Sequence, residues 1–454
     1  MAGRWAEIRR TASPAELYTL LYALPKGGDL HNHLGGAGLP EWWYAVATDP
    51  KRNGGQTFYT RTRILNAGPS GIDWRGRNID TVYWVTIRES AWKKLAPAVR
   101  EEFKPLGALT PAEKQEWLDA VRLDRPGEGR DEFFEFTWVR LNHLVQDAHA
   151  VPEILVENMK AFAAEGVRYL ELQAPAFGMS DPDGRVLPGD EMAARYEARL
   201  AQPDAQATGV TVRFLGNVLR FAPTAEAEVR RMYAFLAAHP ARWVGINMGG
   251  REDNDKGFPL RFLNVYREMR RQHPGIGISI HAGEVDEPNA HVRDTLLLGA
   301  TRIGHGYNLI TDPDTMLLMR HSRFMVEINL ISNQLLEYAA DIQAHPFPEY
   351  LRTGIPVALN TDDRGMWDSN MTDEYYTAVR EFGLTWAETV QLGRTSLEFA
   401  FVPADTKARL LAEYERDVAA FAVRFGGADW REALKAVKPA TYGYAARKWQ
   451  LRFN

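Results

Sequence analysis

The chain of 454 residues is predicted to fold as an α/β protein, a (β/α)8 TIM barrel with a long insertion between strands one and two and helices at its C-terminus. Three observations carry this expectation. Short apolar, β-rich runs alternate with longer amphipathic stretches, the pattern of parallel strands joined by crossover helices. Eight such runs can be counted. The histidines and carboxylates able to do chemistry stand at the C-terminal ends of several of them, where a barrel of this kind carries its active site.

The predicted strands are Gly28 to His33, Val167 to Gln173, Val210 to Val218, Trp243 to Met248, Gly275 to His281, Thr301 to Gly304, Phe324 to Asn329 and Ile355 to Thr361. Between them, Ala225 to Ala238, Arg261 to Gln272 and Val292 to Leu298 are amphipathic and long enough to return the chain across the sheet. Residues 39–130 far exceed an ordinary crossover and read as an insertion. Gly54-Gly55, Gly68-Pro69 and Pro126-Gly127 punctuate it, and Thr110-Pro111 followed by Glu113 marks a helix start. The expectation there is loops and a few helices over the barrel mouth, followed by a helix from Asp131 to Val145. The whole reads as one domain: a barrel from 25–38 and 131–370, the insertion, and a helical region over 371–454 in which Thr385 caps towards Glu388.

Composition narrows the function classes. With 45% hydrophobic and 25% charged residues, the chain can build a sizeable core and is neither disordered nor fibrous. Its 54 Lys+Arg against 59 Asp+Glu leave −5, too near balance for the basic field that sequence-independent nucleic-acid binding needs. A small, weakly charged molecule is the expected partner, with no nucleic acid and no membrane; a homodimer stays open. The absence of cysteine excludes disulfides and thiol nucleophiles. Apolar runs fall short of the ~20 residues of a membrane span, and Met1 to Pro25 has no apolar stretch ending at a cleavage site. The expected location is cytoplasmic, or periplasmic or secreted if a leader was removed.

The chemistry is concentrated in four strand ends. His31 and His33 are two apart in the first strand, so their side chains share a face. His281-Ala282-Gly283-Glu284 ends the fifth strand, with an imidazole and a carboxylate that could act as general acid or base. Arg302-Ile303-Gly304-His305-Gly306 ends the sixth, its glycines allowing a sharp turn at His305. Asn360-Thr361-Asp362-Asp363 ends the eighth, where adjacent carboxylates crowd like charges unless a cation compensates. Each motif alone also suits a turn, a helix cap or a solvated histidine; together they converge on one barrel mouth. His31, His33, His281 and Asp362 supply three nitrogens and one oxygen, a set that suits one zinc ion with a position open for water. Glu284, His305 and Asp363 remain to act on a substrate. The fourth strand ends near Asn247, where a bridging lysine of a two-metal site would be expected and is not found, so one metal is favoured.

These residues resemble the adenosine deaminase family. Pro25-Lys26-Gly27, the His31/His33 pair, the motifs at 281–284, 302–306 and 360–363, Ile331-Ser332-Asn333-Gln334, and the stretch from Val244-Gly245 to Gly249-Gly250-Arg251-Glu252-Asp253 are similar to it, the last two and the long insertion most of all to its growth-factor-type branch. The resemblance implies zinc-dependent hydrolytic deamination of adenosine, and with it 2′-deoxyadenosine, to inosine and ammonia. It implies His31, His33, His281 and Asp362 as zinc ligands and Glu284 as the proton donor to purine N1. It also implies that His305 and Asp362 orient and deprotonate the attacking water, that Asp363 meets N7, and that the Gly250 backbone meets N3.

Gly35 departs from the family pattern, standing where many relatives carry an acidic residue that contacts the ribose 5′-hydroxyl. That contact is expected from Trp42, Trp43, Trp74 or Glu135. A small residue there leaves room for a second reading, a deaminase of another aminopurine or of a 5′-substituted adenosine; AMP is disfavoured because no basic cluster lies near the motifs. Gln173 stands where relatives often carry a charge. A third reading, from another class, is a binding or growth-factor-like protein that uses the barrel as a scaffold.

Overall fold

All eight predicted runs form strands of one parallel sheet in the computed structural model, which describes every residue except 66–70, 74–75, 255, 452 and 454. They are β1 (Gly27–His33), β2 (Val167–Ala174), β3 (Thr211–Leu219), β4 (Trp243–Gly249), β5 (Gly277–Ala282), β6 (Arg302–His305), β7 (Met325–Ile328) and β8 (Val357–Leu359), neighbours in that order. Such strands read as near-continuous apolar runs because helices cover one face and the barrel interior fills the other. The sheet closes where Asp362 N donates to His31 O at 2.9 Å and His33 N to Asp362 O at 3.2 Å, joining the end of β8 to β1. That seam brings Asp362 beside the two histidines.

Register sets the height of the other groups. His33 pairs with Gln173 between β1 and β2, and Ala282 with His305 between β5 and β6. The helices Ala225–Ala238, Leu263–Gln272 and His291–Leu298 return the chain outside the sheet, as their amphipathic patterns require. Inside, the Arg302 guanidinium lies 2.5 Å from Glu171 and 2.6 Å from Glu327, and against the face of Phe401.

The insertion differs from expectation. It carries a three-stranded antiparallel sheet, with Phe58–Arg61 paired to both Thr86–Arg88 and Phe103–Pro105. A small core of its own, including Ile79, Val85, Ile87, Val99 and Phe103, lies beneath it. Strands of three or four residues are too short to show alternation, so only pairing reveals them. The helix start at Thr110 is present: Glu113 N donates to Thr110 Oγ1 and Thr110 N to Glu113 Oε2, opening the helix Pro111–Ala120. Gly68-Pro69 and Trp74 lie outside the described residues. The helix expected from Asp131 to Val145 is broken into an α-turn, a π-helical segment Phe133–Thr137, a second α-turn Trp138–Leu141 and a 3-10 turn. A π segment inserts one residue per turn and redirects the side chains after it; here it precedes Trp138.

Beyond the barrel the chain is helical through Met371–Phe382, Trp386–Glu398 and Ala404–Phe425, the second opened by the reciprocal Thr385–Glu388 cap. Among the described residues no helix is long and apolar enough to cross a membrane.

Candidate active site

The four residues singled out as ligands meet at the barrel mouth. One ligand atom from each of His31, His33, His281 and Asp362 lies within 4.8 Å of the others. His31 Nε2 is 3.0 Å and His33 Nε2 3.2 Å from His281 Nε2, and His33 Nε2 is 3.1 Å from Asp362 Oδ1.

The partners behind these rings decide which nitrogen faces inward. His31 Nδ1 stands 2.7 Å from the Glu327 carboxylate and His281 Nδ1 2.9 Å from Asn247 Oδ1. Each acceptor takes an N–H from Nδ1, so both Nε2 atoms present lone pairs to the centre. Two lone pairs 3.0 Å apart, beside a buried carboxylate, repel unless a cation lies between them. The carboxylates around the site call for positive charge there: burial opposes a charge on His31, yet its hydrogen bonds to Asp362 and Glu327 win and push it up to about 10, so that without a metal a proton takes the cation's place. Burial likewise raises the Asp362 carboxyl, but hydrogen bonds from His31 and His33 outweigh this and hold it well below the usual range. Three imidazole nitrogens and one carboxylate in a largely buried pocket fit Zn2+.

Glu284 and His305 stand beside this set, with His281 in common, and are 3.6 Å apart, His305 Nε2 lying 4.0 Å from Asp362 Oδ2. Burial pushes the Glu284 carboxyl well above the ordinary carboxylate range, and the nearby charges of Asp362 and Glu252 push it further. Asp363 is raised for the same reasons, burial first and then Asp362. The pocket thus pushes neighbouring carboxyls apart, Asp362 downward and Glu284 and Asp363 upward, the condition for acid and base roles to coexist. His305 at φ 64° and Asp362 at φ 53° are left-handed, uncommon for residues with a Cβ, and such strain gathers at functional sites.

Asp363 reaches the mouth because residue 36 is glycine: a Cβ there would lie 1.7 Å from Asp363 Oδ1. Gly250, at φ 100°, follows β4 on the same rim. The room expected beside Gly35 is already filled, since a Cβ on Gly35 would meet Trp138 Cζ3 at 3.0 Å and Val145 Cγ1 at 3.3 Å. Trp138 was not among the candidates for this region. Of those that were, Trp43 is fully buried and donates to Gly35 O, Trp42 packs against the core, and Glu135 pairs with Arg77 in an exposed position. Gln173 Nε2 lies 3.4 Å from His33 Nε2, a polar neighbour for that ring.

Three residues that no role was expected of support the site. Glu327 backs His31 and accepts from Ser279 Oγ. Glu252 accepts the backbone N–H groups of Gly283 and Glu284, both at 3.0 Å, and so braces the turn that carries Glu284. Arg220 donates to the carbonyls of His281 and Met248. Glu327 had a signal: a carboxylate inside the apolar run Phe324 to Asn329 must have a buried partner. Glu252 stands in the family-like stretch at 249–253, which marks the segment without assigning that side chain a role, and Arg220, in a loop, had no signal.

Residues 108–416 match the model of the family described as adenosine deaminase. An adenosine deaminase of Shewanella loihica is 28% identical over 318 residues, covering 70% of this chain and 86% of that protein. Among solved structures, an adenine deaminase from Arthrobacter aurescens superposes with a TM-score of 0.62 at 19% identity, covering 87% of this chain and 99% of its own. An amidohydrolase from Burkholderia ambifaria with bound Zn gives 0.58 at 22% identity, covering 91% and 97%. These two likenesses concern the fold. The family match spans more than half of the chain, from the end of the insertion through strands β2 to β8 into the C-terminal helices, and on it this protein belongs to the adenosine deaminase family of hydrolases.

Proposed function

We propose that this protein hydrolyses the 6-amino group of adenosine, and of 2′-deoxyadenosine, giving inosine and ammonia, with one zinc ion held by His31, His33, His281 and Asp362. The observation that carries the proposal is the adjacency, in one buried pocket, of a three-imidazole, one-carboxylate donor set and a glutamate whose carboxyl burial pushes well above the ordinary range. Zinc, when bound, lowers the pKa of water to about 7 and so supplies a nucleophile at neutral pH.

The chain's own residues do the rest. Glu284 holds a proton at the height of the ligand set and gives it to purine N1, making C6 electrophilic as water adds there. His305 and Asp362 orient that water, and its proton passes to Asp362. Asp363, kept protonated, donates to N7, and the Gly250 backbone meets N3, fixing the ring plane. Cleavage of the C6–N bond, its electron pair going to the amino nitrogen and the proton held on Asp362 passing to it, releases ammonia; the remaining hydroxyl proton returns to Glu284, and the water oxygen becomes the 6-oxo group of inosine.

Other aminopurines form the second reading, and the adenine deaminase from Arthrobacter aurescens keeps the free base in view. Trp138 in the space beside Gly35 counts against 5′-substituted adenosines. A scaffold protein without activity would have no use for a full set of buried proton-transfer groups. Inosine and ammonia release by purified protein, before and after chelation and zinc restoration, tests the proposal. Chelator-sensitive, zinc-restored turnover of adenosine is expected. Faster turnover of adenine or 5′-methylthioadenosine would replace adenosine as substrate, and inert zinc-loaded protein on every aminopurine would overturn the proposal.

A further inference from the structure

We infer that His345, acting through Asn333, fixes the His305 imidazole in the tautomer that carries its proton on Nε2, so that His305 meets the reacting groups as a hydrogen-bond donor and not as a base. His345 and Asn333 are then positioning residues for the proposed deamination, and only their effect on turnover rests on that proposal.

The direction of the chain of hydrogen bonds comes from the backbone. Phe347 N donates to His345 Nδ1 at 3.1 Å, and a backbone N–H can only donate, so that ring nitrogen carries no proton. The neutral ring therefore has its proton on Nε2. Burial keeps it neutral, pushing His345 down to about 3. Nε2 lies 3.0 Å from Asn333 Oδ1 and donates to it. The amide oxygen of Asn333 thus faces His345, and its NH2 faces the other way, 3.1 Å from His305 Nδ1.

A second anchor gives the same answer. Asn329 Nδ2 lies 3.4 Å from the carbonyl oxygen of Glu327, which can only accept, and the same NH2 lies 3.3 Å from His305 Nδ1. Two N–H groups aimed at Nδ1 require a lone pair there, which leaves the ring proton on Nε2. His305, Asn329, Asn333 and His345 are all buried, so water does not compete. Both amide orientations follow from partners whose roles chemistry fixes, a backbone N–H and a backbone C=O.

At its far end, His305 Nε2 has no hydrogen-bond partner among the described residues and faces Glu284 and Asp362. Its N–H is available to an oxygen between them. Forming the imidazolium would put a second proton on Nδ1, against two N–H donors. His305 therefore orients the attacking water by donating to its oxygen and favours negative charge there. The O–H bond of that water breaks towards a carboxylate oxygen of Asp362, which gains the proton.

The test is NMR of the metal-loaded protein carrying 15N-labelled histidine, with His305→Gln assigning the ring. The expected spectrum shows Nδ1 of His305 unprotonated and Nε2 protonated across neutral pH. Asn333→Asp places a carboxylate where an N–H donor stood and should move the ring proton to Nδ1. With zinc content unchanged, kcat should then fall about 100-fold or more while KM moves little, since a wrong tautomer in intact geometry disables such a group. His345→Gln, whose amide can still donate to Asn333 Oδ1, should keep tautomer and most turnover, whereas His345→Leu should lose both; that pair serves if Asn333→Asp does not fold. A protonated Nδ1 in the unaltered protein, or a tautomer indifferent to these substitutions, overturns the inference. The spectrum needs no substrate, so the expected tautomer in a protein inert towards adenosine would sustain this inference and remove the substrate proposal instead.

Discussion

Two clusters of buried charge occupy this barrel, one layer apart, and they are finished to different degrees. In the interior layer, Arg302 stands between Glu171 and Glu327, Tyr169 donates to Glu171 and Ser279 to Glu327. Cation and anions are present together and satisfy one another. At the mouth, Glu284, Asp362 and Asp363 crowd against three imidazoles, and no arginine or lysine among the described residues comes within ion-pair distance of them. Buried carboxylates without a protein cation are costly. The lower cluster is complete in itself, whereas the upper one has the shape of a site that a metal ion and a substrate would complete, as proposed above. Glu327 joins them, facing Arg302 with one oxygen and His31 with the other.

The comparison can be broken at either cluster. The largest effect is expected from His281→Ala, which removes a proposed ligand: zinc content measured by elemental analysis and turnover should vanish together, with the melting transition of the metal-free protein little changed. Zinc still bound one per chain in that variant would refute the ligand set. Glu284→Gln should keep its zinc and lose about 10²–10⁴-fold in kcat, the usual contribution of a general acid; near-normal turnover would remove Glu284 from the mechanism.

Arg302→Met should do the reverse. Breaking a buried pair leaves uncompensated charge and costs about 3–5 kcal/mol, read by denaturant titration, while the protein that remains folded keeps its zinc. Stability unchanged by this substitution would erase the distinction between the clusters. The smallest effect concerns Asp373, a buried carboxyl outside the barrel whose partner in the helix cap is Asn370. Burial, aided by the charge of Glu165, pushes it up to about 8 from 3.8. The folded state therefore keeps a proton that the unfolded chain releases near pH 4, so this contribution is fully present below pH 4 and fades as pH rises through 8. Asp373→Asn should flatten the loss of stability over that window, as urea titrations at several pH values would show; an unaltered slope would assign the pH dependence to other groups.

Legibility in sequence followed the range of the interaction. The eight strands were readable because burial on both faces demands apolar runs, and His31, His33, His281, Glu284, His305 and Asp362 because each ends such a run. Their encounter in three dimensions follows from barrel closure, which the fold class already implied. Glu327 was half-legible, as a charge misplaced in an apolar strand. The insertion's sheet was not, because its strands are too short to carry a period, and the broken helix before Trp138 was not, because a π segment leaves no distinct apolar pattern.

The sequence by itself determined the barrel, the order of its strands and the chemical identity of the groups at its mouth, since hydrophobic period and residue type are local properties of the chain. The folded chain alone settles which nitrogen of His31 and His281 faces the centre, that Trp138 takes the space Gly35 leaves, and that Glu252 braces the turn bearing Glu284. Those are directions and occupancies, set by partners up to 296 residues apart, as for His31 and Glu327, and a hydrogen bond acquires its direction only when both partners are in place.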